Sequence, residues 1–537
     1  MLARRFNSKQ KRSLVAACLL TITAALAVAT GLTQSAGAAG ERSASSGVLV
    51  LDHVFNNKNL DPHRENSTTA NIALHAVYDT LLTFKGADYT PVPSVATSWK
   101  VSDDDRSITF TLRKDIVFSD GTPLTAKDVV FSFARLYNVK GTQSFLLRGL
   151  KLRAIGKYQV VLEADTPNPA LLRIVENPAL AIVNRKVVAA NGGTAALNAP
   201  TADKAELWLS QNSAGSGPYV IKDFVPQQQI TLEANPKYWG PAPRFKLVII
   251  RNMPTPAQLL NVQRGVREIA VDAPAIEVPN LKSNPSVQVV SSNGTNIFYL
   301  TVQQKPGVTI AANPKIMQAL RLGIDYEGLM ALSPGTARLP GMVPIGFLGS
   351  LPADQAIKRD VAKAKQLVID SGIKNPTFDL STVAGFSYSG ILLETIAQKL
   401  QSSFAEIGLT ANLKLRPIGT HLQFRSELKL EVNIGLQSMS YPDPNNYLDY
   451  APDGPQAGYV AWDDPVALAI SKQARATIDD TKRAALFVKY QQRINEVGPF
   501  MPIMQPPVVL VGSPRLTGLV RNGIWVIDVA RVGEKKA

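Results

Sequence analysis

The four histidines of the chain are the first residues to test for metal or catalytic chemistry. They stand at positions 53, 63, 75 and 421, so no two of them are four residues apart, and the motif His-Glu-x-x-His is absent. The segment 385–390, GFSYSG, misses the Gly-x-Ser-x-Gly nucleophile elbow by one residue. These spacings predict neither a metal site nor a nucleophilic triad.

Neighbouring carboxylates and glycine-rich stretches give no stronger signal for catalysis. Asp103 and Asp104 lie in a predicted turn, where acidic side chains are usually solvated. The GSGP stretch at 215–218 precedes a predicted strand, whereas a phosphate cradle leads into a helix N-terminus. We therefore expect a binding protein without a cofactor, and a secreted hydrolase is the alternative from another class.

A polar loop at 437–444, QSMSYPDP, is the strongest candidate for ligand contacts. It follows a predicted strand with the alternating apolar residues Leu430, Val432, Ile434 and Leu436. In open α/β sheets, ligands bind beyond the carboxyl ends of the strands, which places part of the site on this loop. For Tyr441 and Asp443, a plain Tyr-Pro-Asp-Pro turn is an equally good interpretation.

A βαβ unit upstream of this loop predicts the sheet that positions it. Residues 378–382 form its first strand, and 391–407 form a helix that ends at Gly408. A second strand follows, with Ala411, Leu413 and Leu415 as its inward positions. Such a unit implies a right-handed crossover and a parallel pair of strands.

The stretch 96–136 predicts a strand, a turn and a helix in close succession. Ile108, Phe110 and Leu112 alternate with polar residues, which is typical of a half-buried strand. Thr125 stands three residues before Asp128, in the spacing of a capping box, and an apolar stripe follows.

Other segments carry weaker signals of the same kind. The pattern predicts helices at 71–82, 360–371, 420–428 and from 480 onward, and a helix capped by Asn313 with Pro314 at its first turn. The segment 255–262 is amphipathic. The pattern also predicts a helix and strand pair at 167–183, and strands at 47–54, 158–164, 219–224, 229–234, 243–251 and 268–271. The stretch 296–303 is interpreted as the crossing into a new lobe.

The first 38 residues have the pattern of an export signal. Five basic residues precede an apolar run from Leu14 to about Leu32, and the small residues 36–38 suit cleavage near Ala38. We expect neither an uncleaved anchor nor a lipid on Cys18, because the apolar run continues well past that cysteine. Sec and twin-arginine export stay open. Cys18 is the chain's one cysteine, so the mature protein forms no disulfide.

The formal charge of +15 raises the question of an acidic partner. The basic residues form no long run and no basic helix with interleaved aromatics, so we do not expect nucleic-acid binding. The charge instead favours anionic ligands or a membrane surface.

Several motifs together resemble one family. These are YDTLL at 78–82, TFTLRKDIVFSDGTPLTAKDVVFS at 109–132, GSGPYVI at 215–221, NPKYWG at 235–240 and NPKIMQALRLGID at 313–325. They are similar to the extracytoplasmic solute-binding proteins of ABC importers in the peptide/nickel class. The resemblance covers nearly all of the chain after the leader.

That resemblance implies an α/β, type II-like periplasmic-binding fold of two lobes joined by a hinge, plus an inserted extra lobe. The implied divisions are a signal peptide at 1–38, a discontinuous lobe I at 39–62, 206–296 and 496–537, an inserted lobe II at 63–205, and a lobe III at 297–495.

The resemblance also assigns roles in the site. In the family's peptide-binding members an aspartate neutralises the ligand's α-ammonium, and Ser440 occupies that place here, with Gln437 at the usual tryptophan. A hydroxyl supplies no counter-charge, so peptides compete with a sugar, an opine-like conjugate, a blocked peptide or a metal chelate. We add His63, in an LDPH segment near the cleft, and Asn296, at the crossing into lobe III.

The implied function is capture of a small polar solute by lobe closure. The loaded receptor, a monomer in the periplasm, would dock on a membrane permease whose ATPase supplies the energy. No nucleic-acid partner and no enzymatic activity are expected.

Overall fold

The computed structural model describes residues 47–535. The predicted leader, with Cys18 and the cleavage site near Ala38, lies outside these residues. Within the described part of the chain, no helix combines the length and apolar composition needed to cross a membrane.

The largest sheet has seven strands, drawn from three separate stretches of the chain. In spatial order they are Gln288–Asn293, Pro507–Gly512, Glu268–Ala270, Val48–His53, Leu247–Asn252, Gln229–Ala234 and Tyr219–Val225. Val48–His53 runs parallel to Glu268–Ala270, with Leu51 opposite Ile269. Both of these side chains are fully buried, as the apolar run of the first strand requires.

A six-stranded sheet carries the polar loop. In spatial order its strands are Ala337–Arg338, Phe500–Gln505, Ile297–Val302, Val432–Gln437, Thr377–Val383 and Thr410–Arg416. Thr377–Val383 and Thr410–Arg416 pair in parallel, and the helix Leu393–Glu406 connects them. The predicted βαβ unit is therefore confirmed, and Val432–Gln437 also lies parallel to Thr377–Val383.

A four-stranded antiparallel sheet forms the third layer. Its strands, in spatial order, are Ala96–Val101, Ser107–Leu112, Gln159–Ala164 and Leu150–Ile155. The helix Ala126–Val139 begins with the predicted capping box, because Asp128 Oδ2 accepts hydrogen bonds from both the backbone N–H and the hydroxyl of Thr125. The strand-turn-helix prediction for this stretch is confirmed.

The remaining elements are short hairpins and helices around these sheets. Two-stranded pairs join Leu82–Lys85 to Asp88–Pro93, Ser387–Tyr388 to Ile391–Leu392, and Leu516–Thr517 to Gly533–Glu534. The other α-helices are Thr68–Val77, Leu171–Ile174, Arg185–Ala190, Ala199–Ala202, Glu206–Gln211, Thr255–Arg264, Val278–Lys282, Pro314–Gly323, Tyr326–Met330, Val361–Asp370, Ile418–Ser426, Pro455–Gly458, Pro465–Ala476 and Asp480–Val497. The 3-10 turns are Ser144–Leu147, Pro178–Leu180, Ala275–Glu277, Ile310–Ala312, Ala353–Gln355, Pro444–Tyr450 and Val529–Arg531.

Three predictions of local structure are wrong. The helix expected at 71–82 ends at Val77, and Leu82 begins a strand. The helix and strand pair expected at 167–183 is a four-residue helix followed by a 3-10 turn, because Asn177 and Pro178 interrupt the helical pattern. Leu415, expected to point inward, is 49% exposed.

Each large sheet has its own buried core. One core surrounds the seven-stranded sheet, a second the six-stranded sheet, and a third the four-stranded sheet with the segment 171–182. Separate cores of this kind allow the three layers to behave as separate bodies. The lobe boundaries predicted from the sequence stay a prediction.

Candidate ligand-binding site

The 437–444 loop leaves the six-stranded sheet and meets the four-stranded one. Its strand, Val432–Gln437, runs parallel to Thr377–Val383, so the loop lies beyond the carboxyl ends of these two strands. Asn177 Nδ2 donates a hydrogen bond of 2.5 Å to the carbonyl oxygen of Ser440, and Ser440 N donates to Asn446 Oδ1 at 3.0 Å. The loop is therefore held from both sides.

Tyr441 strengthens the contact between the same two layers. Its half-buried side chain packs against the apolar core of the four-stranded sheet. Burial, followed by the nearby carboxylates of Asp443 and Asp449, raises the pKa of the Tyr441 phenol far above its ordinary value. The phenol therefore stays protonated and can donate a hydrogen bond.

Asp443 is already engaged within its own part of the chain. Its two carboxylate oxygens accept hydrogen bonds from the two terminal nitrogens of Arg483, and the distance from Nη1 to Oδ2 is 3.1 Å. Oδ1 also accepts from Asn445 N at 2.8 Å and so caps the 3-10 turn Pro444–Tyr450. A carboxylate with this bidentate partner is a poor counter-charge for a ligand.

Gln437 and Asn296 lie side by side at the edge of the loop. Asn296 Nδ2 donates to Ser438 Oγ at 3.1 Å. Gln437 Nε2 donates to Asp449 Oδ2 at 3.4 Å. Asp449 was not found from the sequence. Burial raises the pKa of its carboxyl to about 6, against the opposing effects of the Gln437 hydrogen bond and of Arg475.

His63 belongs to a different set of contacts. Its Nδ1 lies 3.1 Å from Arg135 Nη1, and its Nε2 lies 3.0 Å from the carbonyl oxygen of Ala181. Burial, followed by the charge of Arg135, lowers the pKa of His63 to about 4. Because Arg135 can only donate, the neutral ring accepts at Nδ1 and donates from Nε2. Arg135 is itself fully buried between Asp61 and Asp203.

An aromatic cluster continues from the loop to the C-terminal region. Met439 is buried with Phe84 and Trp525, whose rings stack at 3.8 Å, and Tyr89 and Phe347 pack against the cluster. These residues come from four distant segments, and no single one is distinguishable in sequence from an ordinary core residue.

A cation beside this cluster was also missed by the sequence. Burial lowers the pKa of Arg521 below its ordinary value, and Tyr388, Asp272 and Tyr89 oppose that shift. Tyr89 Oη accepts a hydrogen bond from Gly523 N at 3.1 Å. The candidate site thus combines aromatic faces with half-buried polar groups of both signs, a combination that suits a small polar molecule.

A family model described as bacterial extracellular solute-binding proteins, family 5 middle, matches residues 90–459. The chain belongs to that family. Among curated relatives, the "Probable D,D-dipeptide-binding periplasmic protein" of Escherichia coli strain K12 is 27% identical over 436 residues, covering 80% of this chain and 82% of the relative.

Solved structures agree on the fold. A periplasmic binding protein from Helicobacter pylori, in complex with the peptide STSA, has a TM-score of 0.77 at 22% identity and covers 91% of this chain and 98% of its own. A binding protein from A. tumefaciens R10, in complex with agropinic acid, has a TM-score of 0.75 at 21% identity. The match covers 91% of this chain and 99% of that protein. The expected type II-like periplasmic-binding fold is confirmed, and the protein is a solute-binding receptor of the ABC-importer class.

Proposed function

We propose that this protein captures a peptide, or a closely similar polar solute, between the 437–444 loop and the layer of the four-stranded sheet. The observation that carries the proposal is the contact across these two layers, from Asn177 to the carbonyl of Ser440, at the carboxyl ends of parallel strands. Membership of the family supports it, and so do relatives that are named for dipeptides.

Closure is the proposed mechanism of capture. Each layer has its own core, so one can rotate as a unit about the chain segments that join it to the next. A solute that contacts both layers favours the closed form by its differential affinity for that form. The closed receptor would then dock on a membrane permease, and its ATPase partner would supply the energy for transport.

The chemistry of the loop leaves a second candidate solute. Ser440 carries no charge and Asp443 is paired with Arg483, so the loop itself offers no free carboxylate to an α-ammonium. An opine-like conjugate or a blocked peptide would not need one. A structural neighbour was solved in complex with agropinic acid, which supports an opine-like conjugate as the second candidate solute. Peptides remain the better supported class.

The proposal includes location and assembly. The protein would be exported by the leader at 1–38 and act as a monomer in the periplasm, without a nucleic-acid partner. The named relatives are binding proteins, and a hydrolase on this scaffold is the alternative that measured turnover would support.

A calorimetric titration tests the proposed function. The panel contains dialanine and trialanine in L and D forms, their N-acetylated versions, glucose and agropinic acid. We expect saturable binding of at least one peptide and no turnover, as checked by mass spectrometry of the recovered ligand. Binding of none of the panel, or consumption of the ligand, contradicts the proposal.

A further inference from the structure

Glu176 is a buried acid beside the contact between the two layers. Ile174 and Val175, which precede it, are buried in the core of the four-stranded sheet. Asn177, which follows it, donates to the carbonyl oxygen of Ser440. The backbone here is fixed, because Asn177 N donates to the carbonyl of Ile174 at 3.1 Å. Glu176 is therefore the immediate neighbour, in a fixed stretch of backbone, of the residue that joins this layer to the 437–444 loop.

The carboxylate of Glu176 has no hydrogen-bond donor among residues 47–535. The residue is 1% exposed, and both Oε1 and Oε2 are buried without a partner. Arg173 is the nearby cation, yet no ion pair joins the two side chains within this part of the chain, and Arg173 Nη1 is itself buried without a partner. A buried carboxylate in that condition costs several kcal/mol if it is charged.

Asp79 shows how the same fold treats an acid with a structural role. It is also buried, but its Oδ2 accepts hydrogen bonds from Ser216 Oγ at 2.7 Å and from Trp239 Nε1 at 2.9 Å. The contrast matters, because nearly all buried polar groups in proteins find partners. An acid without one, at the edge of a binding site, points to a partner that arrives with the ligand.

We propose that Glu176 is the anionic contact for the cationic group of the solute and takes over the charge that Ser440 lacks. This inference rests on the proposed function. The counter-charge then comes from the four-stranded layer and not from the loop. On binding, the Glu176 carboxyl would release its proton to solvent, and the ligand cation would pair with the carboxylate and bond to the loop at the same time. The cation would therefore stabilise the closed form specifically.

Glu176→Gln is the informative variant, because glutamine keeps the size of the side chain but cannot ionise to pair with a ligand cation. Glu163→Gln is the matched control. Glu163 lies on the four-stranded sheet and pairs with Arg153 at 2.9 Å, with 38% of its side chain exposed, so its replacement tests the loss of an exposed, paired glutamate from the same layer. Calorimetry measures the affinity of each protein for trialanine and for N-acetyl-trialanine, which lacks the terminal ammonium.

We expect the unaltered protein to prefer trialanine, and Glu176→Gln to lose about 30-fold or more of its affinity for that peptide, as removal of a buried charge partner does. Affinity for N-acetyl-trialanine and the behaviour of Glu163→Gln stay within about threefold of the unaltered protein.

Three outcomes would overturn the inference. Unchanged selectivity in Glu176→Gln, with trialanine still bound, removes Glu176 from the site and leaves the proposed function intact. Equal loss of both peptides in a variant with an unaltered circular dichroism spectrum assigns Glu176 a packing role. If neither peptide binds the unaltered protein, the peptide assignment fails and this inference fails with it.

Discussion

At the scale of single residues, the carboxylates around the candidate site differ in whether they have a partner. Asp443 is bonded to Arg483 and to a backbone N–H, whereas Glu176 has no partner among the described residues. The distinction cannot be made from residue type, because an acid in a turn and an acid at a binding site look alike in sequence. Burial and the absence of a donor separate them, and both depend on tertiary structure.

The pH dependence of stability gives a first prediction for Glu176. Burial raises the pKa of its carboxyl to about 9, and the charge of Arg173 opposes that shift. The pKa of an unfolded chain's glutamate lies near 4.3. A raised pKa means that the group's stabilising contribution is fully present below the unfolded value and is lost as the pH rises towards the folded one.

Glu176→Gln removes this titration. We therefore expect the melting temperature of the variant to exceed that of the unliganded parent by a margin that grows between pH 5 and pH 8. Differential scanning fluorimetry across that range measures the margin, with Glu163→Gln as the control. A margin independent of pH would mean that the carboxylate of Glu176 is not buried in solution.

The predictability of the site follows from the same distinction. Ser440 and Gln437 were identified through resemblance to a family, and Asn296 through its place at a crossing between lobes. Whether these residues touch the solute stays a prediction. Glu176, Asp449 and Arg521 gave no sequence signal, because their pKa shifts arise from burial by segments that are distant in the chain.

At the scale of elements, the sequence predicted helices and strands well where two independent signals, such as a cap residue and an apolar spacing, agreed. The helix Pro314–Gly323 has its cap residue, its proline and its apolar spacing in agreement, and Asn313 caps it by accepting from Lys315 N at 2.9 Å. The 167–183 stretch failed because Asn177 and Pro178 interrupt its helical pattern after four residues of helix. That irregular stretch is the one that carries Glu176 and Asn177.

Asn177 supports a prediction at this scale. Its Oδ1 caps the turn Pro178–Leu180, and its Nδ2 bonds to the carbonyl of Ser440. Serine can also cap a turn but cannot reach across with a second donor. We expect Asn177→Ser to keep the parent's melting temperature within about 2 °C and to bind trialanine about 5- to 10-fold more weakly, as loss of one hydrogen bond does.

Calorimetry and thermal melting of the same sample check this expectation. If Asn177→Ser binds trialanine as tightly as the parent does, the hydrogen bond between Asn177 and Ser440 does not stabilise the ligand-bound form. A large fall in melting temperature would show that the cap matters more than the bond across the layers.

At the scale of the whole molecule, three cores within one chain make relative movement of the layers possible. The 437–444 loop of the six-stranded layer meets the four-stranded layer through Tyr441 and through the hydrogen bond from Asn177 to the carbonyl of Ser440. A solute that adds contacts between the layers can therefore shift their equilibrium, which is the central requirement of the proposed function.

A distance between two labels tests this requirement most directly. Cys18 is the chain's only cysteine and lies in the predicted leader, so a chain that begins after Ala38 accepts labels at chosen positions. Lys151→Cys on the four-stranded sheet and Lys374→Cys beside the six-stranded sheet, both exposed, form the pair. Lys374→Cys with Gln423→Cys, both next to the six-stranded sheet, is the control.

The measurement is the distribution of distances between spin labels, with and without saturating trialanine. Closure predicts a shift of the Lys151/Lys374 pair to shorter distances on addition of the peptide, while the Lys374/Gln423 pair stays unchanged. If the distance distribution of the Lys151/Lys374 pair is the same with and without trialanine, in a sample whose peptide binding is confirmed by calorimetry, the result would contradict capture by closure of the layers around the solute.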